Sequence, residues 1–174
     1  MTWDDALKPI QDDGLPTSEV GPWMEDKHRL LLHYASLFLQ SMRNKWEVLV
    51  YLDLFAGPGR CRVSSTDRFY RSSPTAILAI PEIFDRYIFC EADLSNAGAL
   101  RTRVGRDAPK RHVTVLSGDA NALVSEVLAE IPSANRGRRV LSFCFLDPFQ
   151  VSNLRFRTIE KLAERYIDFL VLIP

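Results

Sequence analysis

The sequence predicts an α/β protein, a Rossmann-like doubly wound parallel sheet, and three observations carry that reading. Short apolar runs alternate five times with amphipathic segments after an opening helix. The runs are continuously apolar, so each strand is buried on both faces, as in a parallel sheet covered by helices. Most runs also stop at acids, glycines or prolines, where a strand ends and a crossover begins. Right-handed crossovers then give a doubly wound sheet.

The elements follow in order. Residues 1–21 contain Pro9, Gly14, Pro16 and Gly21 among scattered acids and read as an irregular acidic arm. Residues 23–42 place Leu30, Leu31, Tyr34, Leu37 and Phe38 at helical spacing. The run 48–55, VLVYLDLF, is a first strand stopped by the turn Ala56-Gly57-Pro58-Gly59. Residues 60–73 are polar and read as a loop. Pro74 suits the first turn of a helix reaching about residue 84. Strands at 87–92, 112–120, 139–149 and 167–173 alternate with helices at 94–104, 121–131 and 154–166.

Composition sets the outer limits. The 174 residues are 47% hydrophobic and 25% charged, which suits one globular domain with its own core. No run approaches the roughly 18 apolar residues of a membrane span, and no membrane partner is expected. The acidic start MTWDDALKPIQDDG is not a secretory signal. Cys61, Cys90 and Cys144 are odd in number and far apart. They form neither a metal motif nor a disulfide set, and Cys90 and Cys144 read as buried thiols of a reducing, cytoplasmic compartment. The three histidines form no metal cluster, and no Ser/His/Asp set is spaced for nucleophilic catalysis. The zero net charge divides into −6 over residues 1–26 and +6 over the remainder. A basic body permits an anionic partner without demanding one.

Ligands of open α/β sheets bind outside the carboxyl ends of the strands. Four successive strands deliver a carboxylate there: Asp53, Glu91, Asp119 and Asp147. Any one acid is an ordinary helix cap. Together they point to a polar ligand rich in donors. Gly57 and Gly59 let the backbone approach such a ligand with outward-facing amides. A dinucleotide fingerprint needs a third glycine, and here Arg60, Cys61 and Arg62 follow. That weakens a nicotinamide-dependent oxidoreductase. An acid before the turn suits an ammonium or a hydroxyl, a combination that fits S-adenosyl-L-methionine. Glu91 lies 38 positions after Asp53, or 24 with the 14-residue loop 60–73 set aside, near the spacing of a ribose-binding acid. Asp119 is placed to accept from an adenine amine.

Asp147-Pro148-Phe149 resembles the D-P-P-Y motif of methyltransferases acting on exocyclic amines, with one proline before the aromatic instead of two. Lys27 on the first helix is placed to reach a cofactor carboxylate, whereas His28 and His33 read as surface. Arg60, Arg62, Arg68 and Arg71, interleaved with Phe69 and Tyr70, would suit a nucleic-acid substrate. The clusters Arg101, Arg103, Arg106, Lys110, Arg111 and Arg136, Arg138, Arg139 belong at the opposite sheet edge and read as solvated surface.

These residues carry a family resemblance. Gly21-Pro22-Trp23 with Lys27 and Tyr34, the run Tyr51 to Gly59, Ser73-Pro74 and Leu146-Asp147-Pro148-Phe149 resemble the three-Cys-motif partner (TcmP) family from about residue 20 onward. The resemblance implies a class I methyltransferase fold over 22–174 and S-adenosylmethionine-dependent transfer. It implies cofactor roles for Asp53, Gly57, Gly59 and Glu91, an acceptor role for Asp147 and Pro148, and a cysteine-rich, radical-SAM-like partner protein. Phe55, which follows Asp53 in the same run, joins the cofactor set. The family's sheet has seven strands, so the chain is expected to lack the last strands and to leave residues 167–173 as a bare apolar edge. The alternative is a non-catalytic or truncated nucleotide-binding module that docks a partner.

Overall fold

A computed structural model describes residues 3–173. Its frame is a five-stranded parallel sheet built from β2 (Val48–Asp53), β5 (Arg86–Glu91), β6 (Val113–Ser117), β7 (Val140–Leu146) and β8 (Ile167–Val171). The order across the sheet is β6-β5-β2-β7-β8. Numbered along the chain, this is 3-2-1-4-5, so the winding reverses at β2 as in a Rossmann-like fold.

Every residue of β2 is buried, in keeping with its unbroken apolar run. Leu49 and Tyr51 face one layer and Val48, Val50 and Leu52 the other, following the strand's period of two. The first layer holds α2 (Met24–Met42), α3 (Ser73–Ala79) and α4 (Leu94–Asp107), through Leu31, Phe38, Ile77 and Leu100. Tyr51, Phe84, Tyr87, Phe89 and Phe143 form a ring cluster there, with centroids 5.4–6.3 Å apart. The second layer holds α5 (Val124–Glu130) and α6 (Phe156–Leu162), through Val124, Val127 and Leu162.

Strand order and helix order follow the sequence reading, with elements shorter by a few residues. Two segments differ from it. The loop expected at 60–73 is a β-hairpin, β3 (Arg60–Val63) and β4 (Arg68–Arg71). Cys61, Val63 and Tyr70 point inward onto Met24, and Asp67 takes φ 56° at the tip. Alternation of arginines with these residues conceals a strand pattern behind a polar composition. The arm expected to be irregular contains α1 (Trp3–Leu7) and β1 (Ser18–Val20). β1 pairs in parallel with β3, making a second sheet of order β1-β3-β4.

What holds the arm is Arg103, fully buried on α4 rather than on the solvated surface expected of it. Its five N–H groups make five hydrogen bonds. Nε and one Nη reach Asp13 at 3.0 and 2.6 Å. The remainder go to the carbonyls of Leu15 (3.2 Å), Pro16 (2.8 Å) and Pro58 (2.7 Å). Asp13 also pairs with Arg60 (3.2 Å) and Arg106 (3.0 Å), and Arg103 first, then Arg106 and Arg60, holds its carboxyl well below the usual range against the opposing effect of burial. Arg62 pairs with Glu19 and Asp67, and Arg71 donates to the Asp5 carbonyl. The hairpin arginines are thus largely engaged by the chain itself.

The three cysteines are free and buried. No described helix is long and apolar enough to cross a membrane. β8 closes one end of the sheet among the described residues, with Val171 partly exposed and Ile173 beyond it largely so. At the other end, Arg101 covers β6 by donating to the Val115 carbonyl at 2.8 Å, which shields that edge.

Replacing Arg103 by Met keeps the apolar stem but takes the donors from the Leu15, Pro16 and Pro58 carbonyls and removes the most buried cation beside Asp13. The unfolding free energy is expected to fall by about 3–5 kcal/mol. Urea denaturation measures it, and a loss within 1 kcal/mol, the size of an exposed pair, would contradict the buried clamp.

Candidate functional site

A cleft of about 610 Å³ opens at the carboxyl ends of β2, β5, β6 and β7. The chain's topology puts it there, because the crossovers leave β2 in opposite directions and part above it. Eight of the residues expected at a site line it: Lys27, Phe55, Gly57, Glu91, Asp119, Asp147, Pro148 and Phe149. Asp53 and Gly59 do not.

Gly57 and Gly59 both sit at positive φ, 64° and 91°, a conformation that glycine adopts without strain. They do different work. At Gly57 a side chain would meet only Ser18 Oγ, at 3.6 Å, so this position faces open space. A Cβ on Gly59 would stand 2.9 Å from Thr75 and 3.0 Å from Leu100. Gly59 therefore lets the turn pack against α3 and α4, and the Thr75 hydroxyl donates to its carbonyl. This replaces the ligand-facing role expected of it.

Two of the turn's amides are not free for an anion either. The Gly57 N–H donates to Glu91 Oε2 at 2.7 Å, and Glu91 Oε1 accepts from the Asp93 N–H at 2.8 Å. The Ala56 N–H is bonded to the Cys90 carbonyl at 3.0 Å. Glu91 is thereby fixed in place with its remaining lone pairs toward the cleft it lines. Asp119 accepts from the backbone and side chain of Asn121 at 3.0 and 2.9 Å, a local turn consistent with capping. Asn121 in turn braces the Asn153 carbonyl and the Thr158 hydroxyl. The β6 and β7 loops are tied together by that network.

Asp147 stands half-buried at the end of β7 and forms an ion pair with Lys27, Nζ to Oδ2 2.6 Å. Lys27, expected to meet a cofactor carboxylate, here reaches across from α2 to the acid of the D-P-F motif. Pro148 is buried behind it, and Phe149 is 88% exposed at the rim. Trp23, 62% exposed, supplies a second ring to the same cleft. Asp147 and both rings belong to segments singled out by their sequence.

Asp53 lies at the end of β2 beneath this surface, with no exposure. Its Oδ1 accepts from the Phe55 N–H at 3.2 Å, and its Oδ2 meets no close donor among the described residues. Burial pushes its carboxyl up to about 7. Ser73 and the Phe55 amide oppose that shift, and the charges of Asp147 and Glu91 add to it.

Composition and spacing did not single out His28, Met24, Asn96, Asn153 or the arm residues Ser18, Glu19 and Val20, all of which line the cleft. His28 is buried, not on the surface, and burial with the neighbouring Lys27 charge lowers its imidazole to about 4. It is therefore neutral near pH 7. The one available signal was its place one turn before Leu31 and Leu32 on the apolar stripe.

No family model matches the chain, and no curated protein matches it. Among solved structures it is similar to protein LPL1258 from Legionella pneumophila strain Philadelphia 1, assigned to the family model DUF519. The TM-score is 0.50 at 17% identity, over 76% of this chain and 61% of that one. The chain thus spans about three-fifths of that protein's length, and the likeness is one of fold.

Asp53 makes stability depend on pH. Below about pH 4 its carboxyl is neutral whether the chain is folded or not. From there to about 7 the unfolded chain releases the proton and the folded chain keeps it, so stability falls as pH rises. The loss is on the order of 4 kcal/mol. Asp53→Asn is expected to remove it. Urea denaturation of both proteins at pH 5 and 8 isolates the difference, because the opposing effect of His28 is common to them. Parallel pH profiles would contradict the assignment.

Proposed function

We propose that the chain is an S-adenosylmethionine-dependent methyltransferase of the class I type, in line with its resemblance to the three-Cys-motif partner family. The observation that carries this reading is the charge of the cleft. Among the described lining residues Glu91, Asp119 and Asp147 face Lys27 as the lone cation, since His28 is neutral, and Glu19 is paired with Arg62. Such a surface favours a cationic ligand and repels a pyrophosphate. The Gly57 amide, spent on Glu91, points the same way.

The residues present fit this cofactor. Glu91 retains lone pairs for two ribose hydroxyls, and Asp119 for an amine. Lys27 is the lone base in the lining for a carboxylate, and Asp53 adds negative potential from below once ionised. When bound, the sulfonium supplies an already activated methyl group. The protein's part is then to position two partners in line. Asp147 accepts a hydrogen bond from the acceptor amine and takes up the proton released as the nitrogen is alkylated. Pro148 fixes the backbone that carries Asp147. Phe149 and Trp23 offer exposed ring faces to a planar acceptor. That set favours a nucleic-acid amine as the acceptor.

The ion pair of Lys27 with Asp147 favours a second reading, because it occupies both groups at once. In that reading the chain is a nucleotide-binding module without catalysis, serving a partner such as the cysteine-rich protein the resemblance implies.

Methyl-labelled cofactor offered with total RNA, DNA or protein separates the two. Labelling is expected in one nucleic-acid pool, reduced about 100-fold or more in Asp147→Ala. S-adenosylhomocysteine binding should survive in that variant and be lost in Glu91→Ala. Cofactor binding with no pool labelled would favour the module.

A further inference from the structure

A second and larger cleft, of about 840 Å³, lies away from the candidate site between α3 and α4. Its floor is aliphatic: Leu78, Ile80, Val104 and Ala108, with Ile10 from the arm. Arg60 and Arg71 of the hairpin stand beside the start of α3. Lys110 and Arg111 stand beyond the end of α4. The two helices run in the same direction, since each connects parallel strands, and Arg60 reaches Asp107 at the end of α4 (3.9 Å), so the hairpin cations and Lys110 and Arg111 border one trough. Arg103, Arg60, Arg71, Lys110 and Arg111 face a single lining acid, Asp107.

The cations around the trough are not equivalent. Arg60 and Arg103 are answered by Asp13. Lys110 and Arg111 form no ion pair among the described residues. A cationic lip over a buried aliphatic floor is complementary to a ligand that joins carboxylates to branched side chains. No aromatic ring lines the trough among the described residues, so the stacking platform of a single-stranded nucleic-acid site is missing. Seven residues of α3 give the trough a length of about 10 Å, the reach of three or four extended residues.

We propose that this trough docks an acidic segment of a partner protein, with a Leu, Ile or Val seated between α3 and α4 and carboxylates on Lys110 and Arg111. The docking surface is separate from the candidate site and does not depend on its chemistry. Rim charges of this kind set partner choice and encounter rate, and the apolar anchor supplies affinity.

Selection of a random peptide library displayed on phage against the whole chain tests this without presuming the partner. Enriched sequences are expected to place Asp or Glu beside Leu, Ile or Val. A fluorescein-labelled peptide of the enriched sequence should lose about tenfold or more in affinity, by anisotropy, when Lys110→Glu and Arg111→Glu are combined. A Val104→Ala exchange on the partly exposed floor should weaken it separately. The thermal midpoint of the charge variant reports that it folds. Three results would overturn the proposal: enrichment without acids, equal binding by the charge variant, or labelled single-stranded RNA, in place of the peptides, binding through Lys110 and Arg111.

Discussion

One guanidinium organises the region around the glycine turn. Arg103 sits on α4, a core helix, and reaches with all five donors to Asp13, Leu15, Pro16 and Pro58. Two segments about 45 residues apart, the arm and the Ala56–Gly59 turn, are thereby fixed to one helix. Three dependencies follow. β1 is held where it can pair with β3, so the hairpin has a partner. Ser18, Glu19 and Val20 become a wall of the cleft. The turn is pulled against α3 and α4 at Gly59, which leaves Gly57 facing Glu91. A buried cation is costly unless every donor is satisfied, and here the arm satisfies most of them. The acidic character of the first residues thus has an internal use at Asp13.

Carboxylates converge on the cleft for a topological reason. Parallel strands all end at one edge, so Glu91, Asp119 and Asp147 need only be the last residues of their strands or the first or second beyond them. Asp53 belongs to the same row but lies one layer lower, its proton retained to about pH 7 by burial. Lys27 comes from α2, outside the row, and balances only one of these charges. The surplus of acid over base is the feature that distinguishes this switch-point cleft from one built for a pyrophosphate.

Much of this was legible in the sequence because it is local. Continuous apolar runs announce strands buried on both faces, and the acid after each run marks its carboxyl end. Eight of ten expected site residues line the cleft, and all of them but Lys27 stand where a strand ends. The hairpin was hidden because its outward residues are arginines paired with Glu19, Asp67 and Asp13, so polarity outweighed a weak alternation. Arg103 was hidden because its partner lies 90 positions away. Charge in sequence does not say whether a cation faces water or a carboxylate folded over it. His28 was misread for the converse reason, as a polar residue carried on a helix's apolar stripe.

We propose that the cleft selects a phosphate-free nucleoside that carries an ammonium group. Calorimetric titration of one preparation with S-adenosylmethionine, S-adenosylhomocysteine and a nicotinamide dinucleotide tests it most directly. The two sulfur ligands are expected to bind in the micromolar range, and the dinucleotide not at all. Dinucleotide binding with neither sulfur ligand bound would mean that the row of carboxylates does not govern what enters.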